Sequence, residues 1–197
     1  MANFKTMIRT LMFVFVVLFC ATTFYYYTEQ GNARAEENIP KLPNFEHTNN
    51  QQFIDNVVQC VNYIEHNTTD VYPVNLELLI AQAALESGWG TSRFAKEANN
   101  LFGIRTWTKE TPHLLPVGIE KWPGWGVRVF PSKCDSVKEY VRLLNEHPAY
   151  EDFRELRLKT NDPIALIKTL DKFSTTKDYD VRVIRMIKKI RKLEEEK

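Results

Sequence analysis

The sequence predicts an α+β domain that is mainly α, with one small β-lobe between two helical stretches. Three observations carry this reading. Apolar residues recur at helical spacing across residues 51–97, aromatic and β-branched residues with Pro and Gly take over across 101–130, and helical spacing returns from Ser132 onward. At 197 residues with 44% hydrophobic content, the chain is long enough for one core once its first segment is set aside.

Ahead of the domain, Lys5 and Arg9 precede an apolar run over residues 11–27 that only Thr22 and Thr23 interrupt, and Ala33-Arg34-Ala35 supplies a small-x-small pattern. Residues 1–35 are expected to form an export signal. The run also approaches the ~20 residues that span a bilayer, so a retained N-terminal membrane anchor through residues 11–27 is the alternative. Either reading puts the domain outside the cytosol, periplasmic or held on the inner membrane facing the periplasm. Cys20 follows the bulky Phe19 where a lipoprotein site needs a small residue. Residues 36–50, with Pro40, Pro43 and several Asn, read as a linker, and residues 51–197 as the domain.

Phe53, Ile54, Val57, Val58, Val61 and Ile64 define a first helix, which Asn67-Thr68-Thr69 ends. Asn75 is the expected N-cap of the next, whose inward positions are Leu76, Leu79, Ile80 and Ala83. A short helix over 91–97 opens at Thr91 or Ser92 and stops at Asn99-Asn100. In the β-lobe, Trp122-Pro123-Gly124-Trp125 is a turn between short extended pieces. Helix resumes at Ser132 or Asp135 with Val137, Val141 and Leu144 inward, then over 149–156, then behind the cap-and-proline pair Asp162-Pro163. The last helix buries Val183, Ile184, Ile187 and Ile190. It turns Arg182, Arg185, Lys188, Lys189 and Lys192 outward, and a solvated face explains these better than an anionic partner does.

Residues 1–35 hold Lys5, Arg9, Arg34 and Glu29, so the remainder carries 23 basic and 24 acidic side chains, a balance that does not suit nucleic acid. His47, His66, His113 and His147 are scattered, without metal-ligand spacing; neither metal nor cofactor is expected. An oxidising compartment permits a Cys60–Cys134 bridge, but separate buried thiols are the commoner expectation, and neither cysteine lies in a nucleophile motif. A monomer is expected.

The chemistry centres on Glu86. It lies three positions past Ala83 and seven past Leu79, which continues an apolar helical stripe, and Gly88 reads as the C-terminal cap. Burial and the negative helix end both disfavour the carboxylate, so the group can hold a proton near neutral pH and give it to a leaving oxygen. The alternative is a solvated Glu at a frayed end. Glycoside hydrolysis also asks for charge stabilisation and a flat apolar surface for the sugar. Alternation on a strand before the Pro-Gly turn would put Glu120 and Trp122 on one face, so Glu120 is the expected second carboxylate, with Glu110 in the same lobe as its rival. Trp89, Phe102, Trp107, Trp122 and Trp125 are the nearby aromatics, and some of them belong in the core.

The run Ile80-Ala81-Gln82-Ala83-Ala84-Leu85-Glu86-Ser87-Gly88-Trp89-Gly90-Thr91-Ser92, followed by Asn99-Asn100-Leu101-Phe102-Gly103-Ile104, closely resembles the glucosaminidase domain family of flagellar peptidoglycan hydrolases, autolysins and Bax-type proteins. The similarity covers residues 51–193. It implies a lysozyme-like helical domain with a small β-hairpin lobe across a cleft, and cleavage of the β-1,4 bond after N-acetylglucosamine in peptidoglycan glycan strands. Glu86 falls on the family's catalytic acid. Phe173-Ser174-Thr175-Thr176-Lys177-Asp178-Tyr179 resembles its tyrosine-containing segment, which gives Tyr179 a role in substrate binding and catalysis, while Phe173 stands where Tyr is common. Glu120 is a weaker transfer, because the second acid varies in position across the family. The expected site is thus Glu86 and Glu120 for catalysis, with Tyr179, Trp89, Phe102 and Trp122 for substrate. A lytic transglycosylase or muramidase on a similar fold, and a wall-binding domain without turnover, are the competing readings. Retaining, inverting and substrate-assisted mechanisms stay open, as do bacterial remodelling and phage lysis.

Overall fold

The computed structural model describes residues 4–37, 40–69 and 72–196; residues 1–3 of the expected signal and 38–39 of the expected linker lie outside them. The chain divides into two compact units, one ending at Pro40 and one beginning at Lys41. The first is the helix α1 (Phe4–Glu37), in which Leu11–Gln30 is long and apolar enough to cross a membrane by length and composition.

The second unit carries α2 (Asn50–Asn67), α3 (Leu76–Ser87), α4 (Arg93–Glu97), β1 (Arg105–Thr106), β2 (His113–Leu114), β3 (Gly126–Arg128), α5 (Lys133–Glu146), a 3-10 turn (Pro148–Tyr150), α6 (Glu151–Arg157), α7 (Pro163–Ile167) and α8 (Tyr179–Glu195). Helix starts follow local chemistry. Asn49, Asn75, Ser92, Ser132 and Asp162 each accept a hydrogen bond from a first-turn amide, which satisfies a donor that has no partner inside the helix.

Helix α3 is the centre of this unit. The sequence predicts one apolar stripe along it, but Leu78 through Ala84 are buried without a break, and Leu76 is 38% exposed. A helix buried on every side needs neighbours all round. Helices α8, α7 and α2 supply them, and α5 packs on α2. A disulfide between Cys60 of α2 and Cys134 of α5 joins that last pair, which resolves the pairing that the sequence leaves open.

Two expectations are revised. The supposed linker ends before Phe45: its ring meets Phe53 edge-on at 5.6 Å, and the His47 ring lies 5.4 Å from the same phenyl group. Aromatic burial draws this stretch into the fold despite its Pro and Asn content. In the lobe, the three strands form an antiparallel sheet of order β1-β3-β2, pairing Arg105 with Val127 and His113 with Arg128. Residues 115–125, including Glu120 and Trp122, are irregular, so strand alternation does not orient those two side chains together. Pro116, Pro123 and turns at Gly118 and Gly124 break the extended run before a ladder can form.

Asn100 fastens the lobe to the helices. Its buried amide donates to the carbonyls of Ile104 (2.9 Å) and Arg128 (2.8 Å) and accepts from the backbone amides of Phe102 and Ile104. All of its donors are used, so no hydrocarbon side chain can substitute without leaving buried backbone groups unpaired.

The disulfide closes a loop across 74 positions, and cross-links of that span stabilise by restricting the unfolded chain. Cys60→Ser/Cys134→Ser is expected to lose about 2–4 kcal/mol in denaturant unfolding. Adding a thiol reductant should lower the midpoint of the parent and leave that of the double variant in place.

Candidate active site

Glu86 lies in the last turn of α3, which Gly88 ends in the left-handed conformation (φ 57°), its amide bonded to the carbonyl of Ala84. The chain then turns through Trp89 (φ 58°) and Gly90 (φ 75°), held by the Ser87 hydroxyl, which accepts from the Gly90 amide at 2.7 Å. Gly90 has no room for a side chain. A Cβ there would sit 2.8 Å from His47 Cε1 and 3.1 Å from Phe53, and His47 Nε2 is bonded to the Trp89 carbonyl at 2.7 Å. The Ser-Gly-Trp-Gly run is thus the tight stop that leaves Glu86 at the rim of the core, only half-exposed.

The groups around Glu86 come from α8 and α5. Tyr179, the first residue of α8, is buried, and its hydroxyl bears on the Glu86 carboxyl, as does the charge of Arg182 one turn further along. Behind them lies Gln82, one turn before Glu86 on α3 and fully buried. Its Nε2 donates to Tyr179 Oη at 2.9 Å, and its Oε1 accepts from Tyr140 Oη of α5 at 2.5 Å. Phe102 stacks on Tyr140 (4.1 Å between centroids), while Phe173 meets Tyr140 edge-on and stacks on Tyr179.

Burial raises the affinity of Glu86 for its proton; the Tyr179 hydrogen bond and the Arg182 charge oppose this without cancelling it. The tyrosines respond in turn. Burial and the neighbouring carboxyl push the Tyr179 phenol upward, and burial does the same to Tyr140, so both remain neutral hydrogen-bonding groups. The arrangement is a carboxyl with a strengthened hold on its proton and a neutral tyrosine bearing on it, which is chemistry that a general acid can use.

The other expected site residues fall into two groups. Phe102 is 3% exposed beneath Tyr140, so it supports the site from the core and offers no surface to a ligand. Trp89 packs edge-on against Phe53 with Lys189 over its ring at 5.0 Å. Glu120 and Glu110 are exposed in the lobe, and neither carboxylate is among the groups whose charge bears on Glu86. Trp122 rests on His113 at 4.5 Å, Trp125 on the Arg105 guanidinium at 4.1 Å, and Trp107 is 71% exposed. Sequence reasoning passed over Gln82 and Tyr140. The one signal for Gln82 is an amide at i−4 from Glu86 in a stretch otherwise made of Leu, Ile and Ala.

Residues 65–192 match the family model Glucosaminidase, described as mannosyl-glycoprotein endo-beta-N-acetylglucosaminidase. The chain belongs to the glucosaminidase family. Protein bax of Escherichia coli K12 is 39% identical over 88 residues, covering 45% of this chain and 29% of its own length. Peptidoglycan hydrolase FlgJ of Salmonella typhimurium is 26% identical over 129 residues, covering 60% and 40%. The chain thus spans well under half the length of these two curated relatives. Among solved structures, the catalytic domain of the autolysin Auto from Listeria monocytogenes superposes with a TM-score of 0.52 at 22% identity, over 82% of this chain and 93% of that one, a likeness of fold. The helical unit with its three-stranded lobe is therefore the glucosaminidase fold.

Because the folded state holds the Glu86 proton more tightly than the unfolded chain, it keeps more protons bound than the unfolded chain does once pH passes 4.5, and stability falls across that window until the folded group has also ionised. Glu86→Gln removes this slope. Thermal melts at pH 4 and pH 8 should show the variant gaining on the parent toward pH 8; a constant gap between the two would place Glu86 in solvent.

Proposed function

We propose that this glucosaminidase domain cleaves the β-1,4 bond after N-acetylglucosamine in bacterial peptidoglycan, with Glu86 as the general acid. The observation that carries the reading is one carboxyl at the end of α3 whose hold on its proton is strengthened by burial, with a neutral tyrosine bearing on it that can stabilise the carboxylate left after proton transfer. A carboxyl that keeps its proton to higher pH than a free one is better placed to protonate a glycosidic oxygen. The names of the relatives point the same way: FlgJ is a peptidoglycan hydrolase, and Auto is an autolysin. With α1 as export signal or membrane anchor, the domain acts on wall outside the cytosol, as a monomer.

Among the described residues no carboxylate bears on the charge of Glu86, which favours a source of stabilisation for the positive charge at the sugar carbon other than a second acidic side chain. The acetamido group of N-acetylglucosamine is available in the substrate. Its carbonyl oxygen attacks C1 as the bond to the bridging oxygen breaks and Glu86 delivers its proton there; water then opens the cyclic intermediate and restores the proton. The exposed rings of the lobe, Trp107 above all, offer faces on which sugars can stack.

The lone carboxyl also supports a lytic transglycosylase, in which an internal hydroxyl of muramic acid replaces water. Products separate the two. Full-length chain in detergent, incubated with purified sacculi, should yield fragments that end in reducing N-acetylglucosamine by mass spectrometry, whereas anhydro-muramic ends would assign the transglycosylase. Glu86→Gln should lower the rate by about 10²–10⁴-fold while wall binding persists. The parent's kcat/KM should fall as pH rises through the elevated Glu86 value, since only the protonated form is the acid. Equal rates for parent and variant would remove Glu86 from the mechanism.

A further inference from the structure

The hydrogen bonds behind Glu86 have a direction. Tyr140 donates its hydroxyl proton to Gln82 Oε1, which commits the amide to presenting Nε2 toward Tyr179. Tyr179 Oη therefore accepts from Gln82, and its own proton is left to donate. The carboxyl on which this hydroxyl bears is that of Glu86. With the amide turned over, Tyr179 would have to donate to Gln82, and its lone pairs would then face those of the Glu86 carboxylate. Gln82 and Tyr140 are fully buried, so no water competes for these bonds.

We propose that Gln82 and Tyr140 are positioning residues that fix the direction in which Tyr179 donates its hydroxyl proton to Glu86. Neither touches the sugar or the bridging oxygen. Tyr140 acts two hydrogen bonds away, by orienting an amide. This deepens the proposed function and rests on it for its catalytic consequence: Tyr179 is held ready to stabilise the carboxylate as Glu86 gives up its proton. Burial makes Glu86 a weaker acid, and a directed donor restores part of its acidity. The titratable or charged groups that bear on Glu86 are Tyr179 and Arg182 from α8, with Tyr140 from α5 also in its field.

The test is a set of substitutions read by the alkaline limb of kcat/KM on sacculi and, independently of turnover, by the carbon-13 titration of the Glu86 carboxyl in the full-length chain in detergent. Tyr179→Phe removes the donor, and the Glu86 titration should move up by about half to one pH unit, the worth of one hydrogen bond. Tyr140→Phe frees the amide to turn, and Tyr179 then donates to Gln82 Oε1. The limb should move up in the same direction, with kcat falling roughly tenfold, as one misplaced hydrogen bond allows, and KM little changed. Tyr140→Phe/Tyr179→Phe should match Tyr179→Phe alone, because the second substitution acts through a group already gone. Tyr140→Phe/Gln82→Met should recover the parent's titration, since no amide oxygen remains to divert the Tyr179 proton.

A purely structural role would lower the melting temperature of Tyr140→Phe and leave its titration unmoved, and that result overturns the inference. Additive shifts in the double tyrosine variant overturn it as well. If Gln82→Met does not fold, the cycle of the two tyrosine substitutions decides alone. A carboxyl titration that moves as described, while Glu86→Gln retains full activity, would sustain the directed hydrogen bonds and reject Glu86 as the acid, so the two readings fail separately.

Discussion

One fully buried amide constrains the helical unit. Helix α3 is enclosed on all sides, and Gln82 lies inside that enclosure, where an unpaired amide costs roughly 1–3 kcal/mol for each group left unsatisfied. Its two partners must come from other helices, because a side chain at the centre of α3 has no free backbone within reach. They come from Tyr140 on α5 and Tyr179 on α8, separated from Gln82 by 58 and 97 positions. Satisfying one amide therefore fixes two helices about the last turn of α3. The same requirement that makes the core unique also assembles the surroundings of Glu86.

The stop after that turn depends on a different kind of constraint. Gly88, Trp89 and Gly90 take left-handed backbone in succession, and Gly90 gives the space that a side chain would occupy to His47 and Phe53. The stretch before α2, polar enough to read as a linker, closes over this turn through the ring of His47. On the far side, Asn100 ties β3 back to the end of the following loop and so sets the lobe's attachment to the helices. Helix α3, its stop and the lobe are each held by a few well-satisfied polar groups in apolar surroundings. Substitutions at Gln82, Gly90 or Asn100 consequently act through geometry well beyond the side chain removed.

Much of this is legible in the sequence wherever the cause is local. The caps at Asn75, Ser92, Ser132 and Asp162 are visible because each side chain bonds an amide two or three residues on, and Gly88 is visible because a helix end wants a residue that accepts positive φ. Glu86 stands out for being charged where its neighbours are not. What escapes is whatever depends on distant partners. Phe102 resembles a lobe aromatic until Tyr140 is seen to cover it, and Glu120 and Trp122 alternate as a strand would, yet no partner strand reaches them. Gln82 is unremarkable among helix formers until two hydroxyls, each far along the chain, are found on its amide. The Cys60–Cys134 bridge belongs to the same class, since compatibility of two cysteines is not proximity.

The half-burial of Glu86 reconciles two opposed demands. Full enclosure would keep the proton and prevent its transfer, whereas full exposure would leave the group an ordinary surface carboxylate. The rim of the core, one turn past the buried Gln82 and just before the glycine stop, lies between these limits. Tyr179 and Arg182 adjust the balance from the side of α8, one by a hydrogen bond and the other by its charge. The folded state accepts a less stable ionised carboxyl at this position, and the cross-link between α2 and α5 lends stability elsewhere in the same unit.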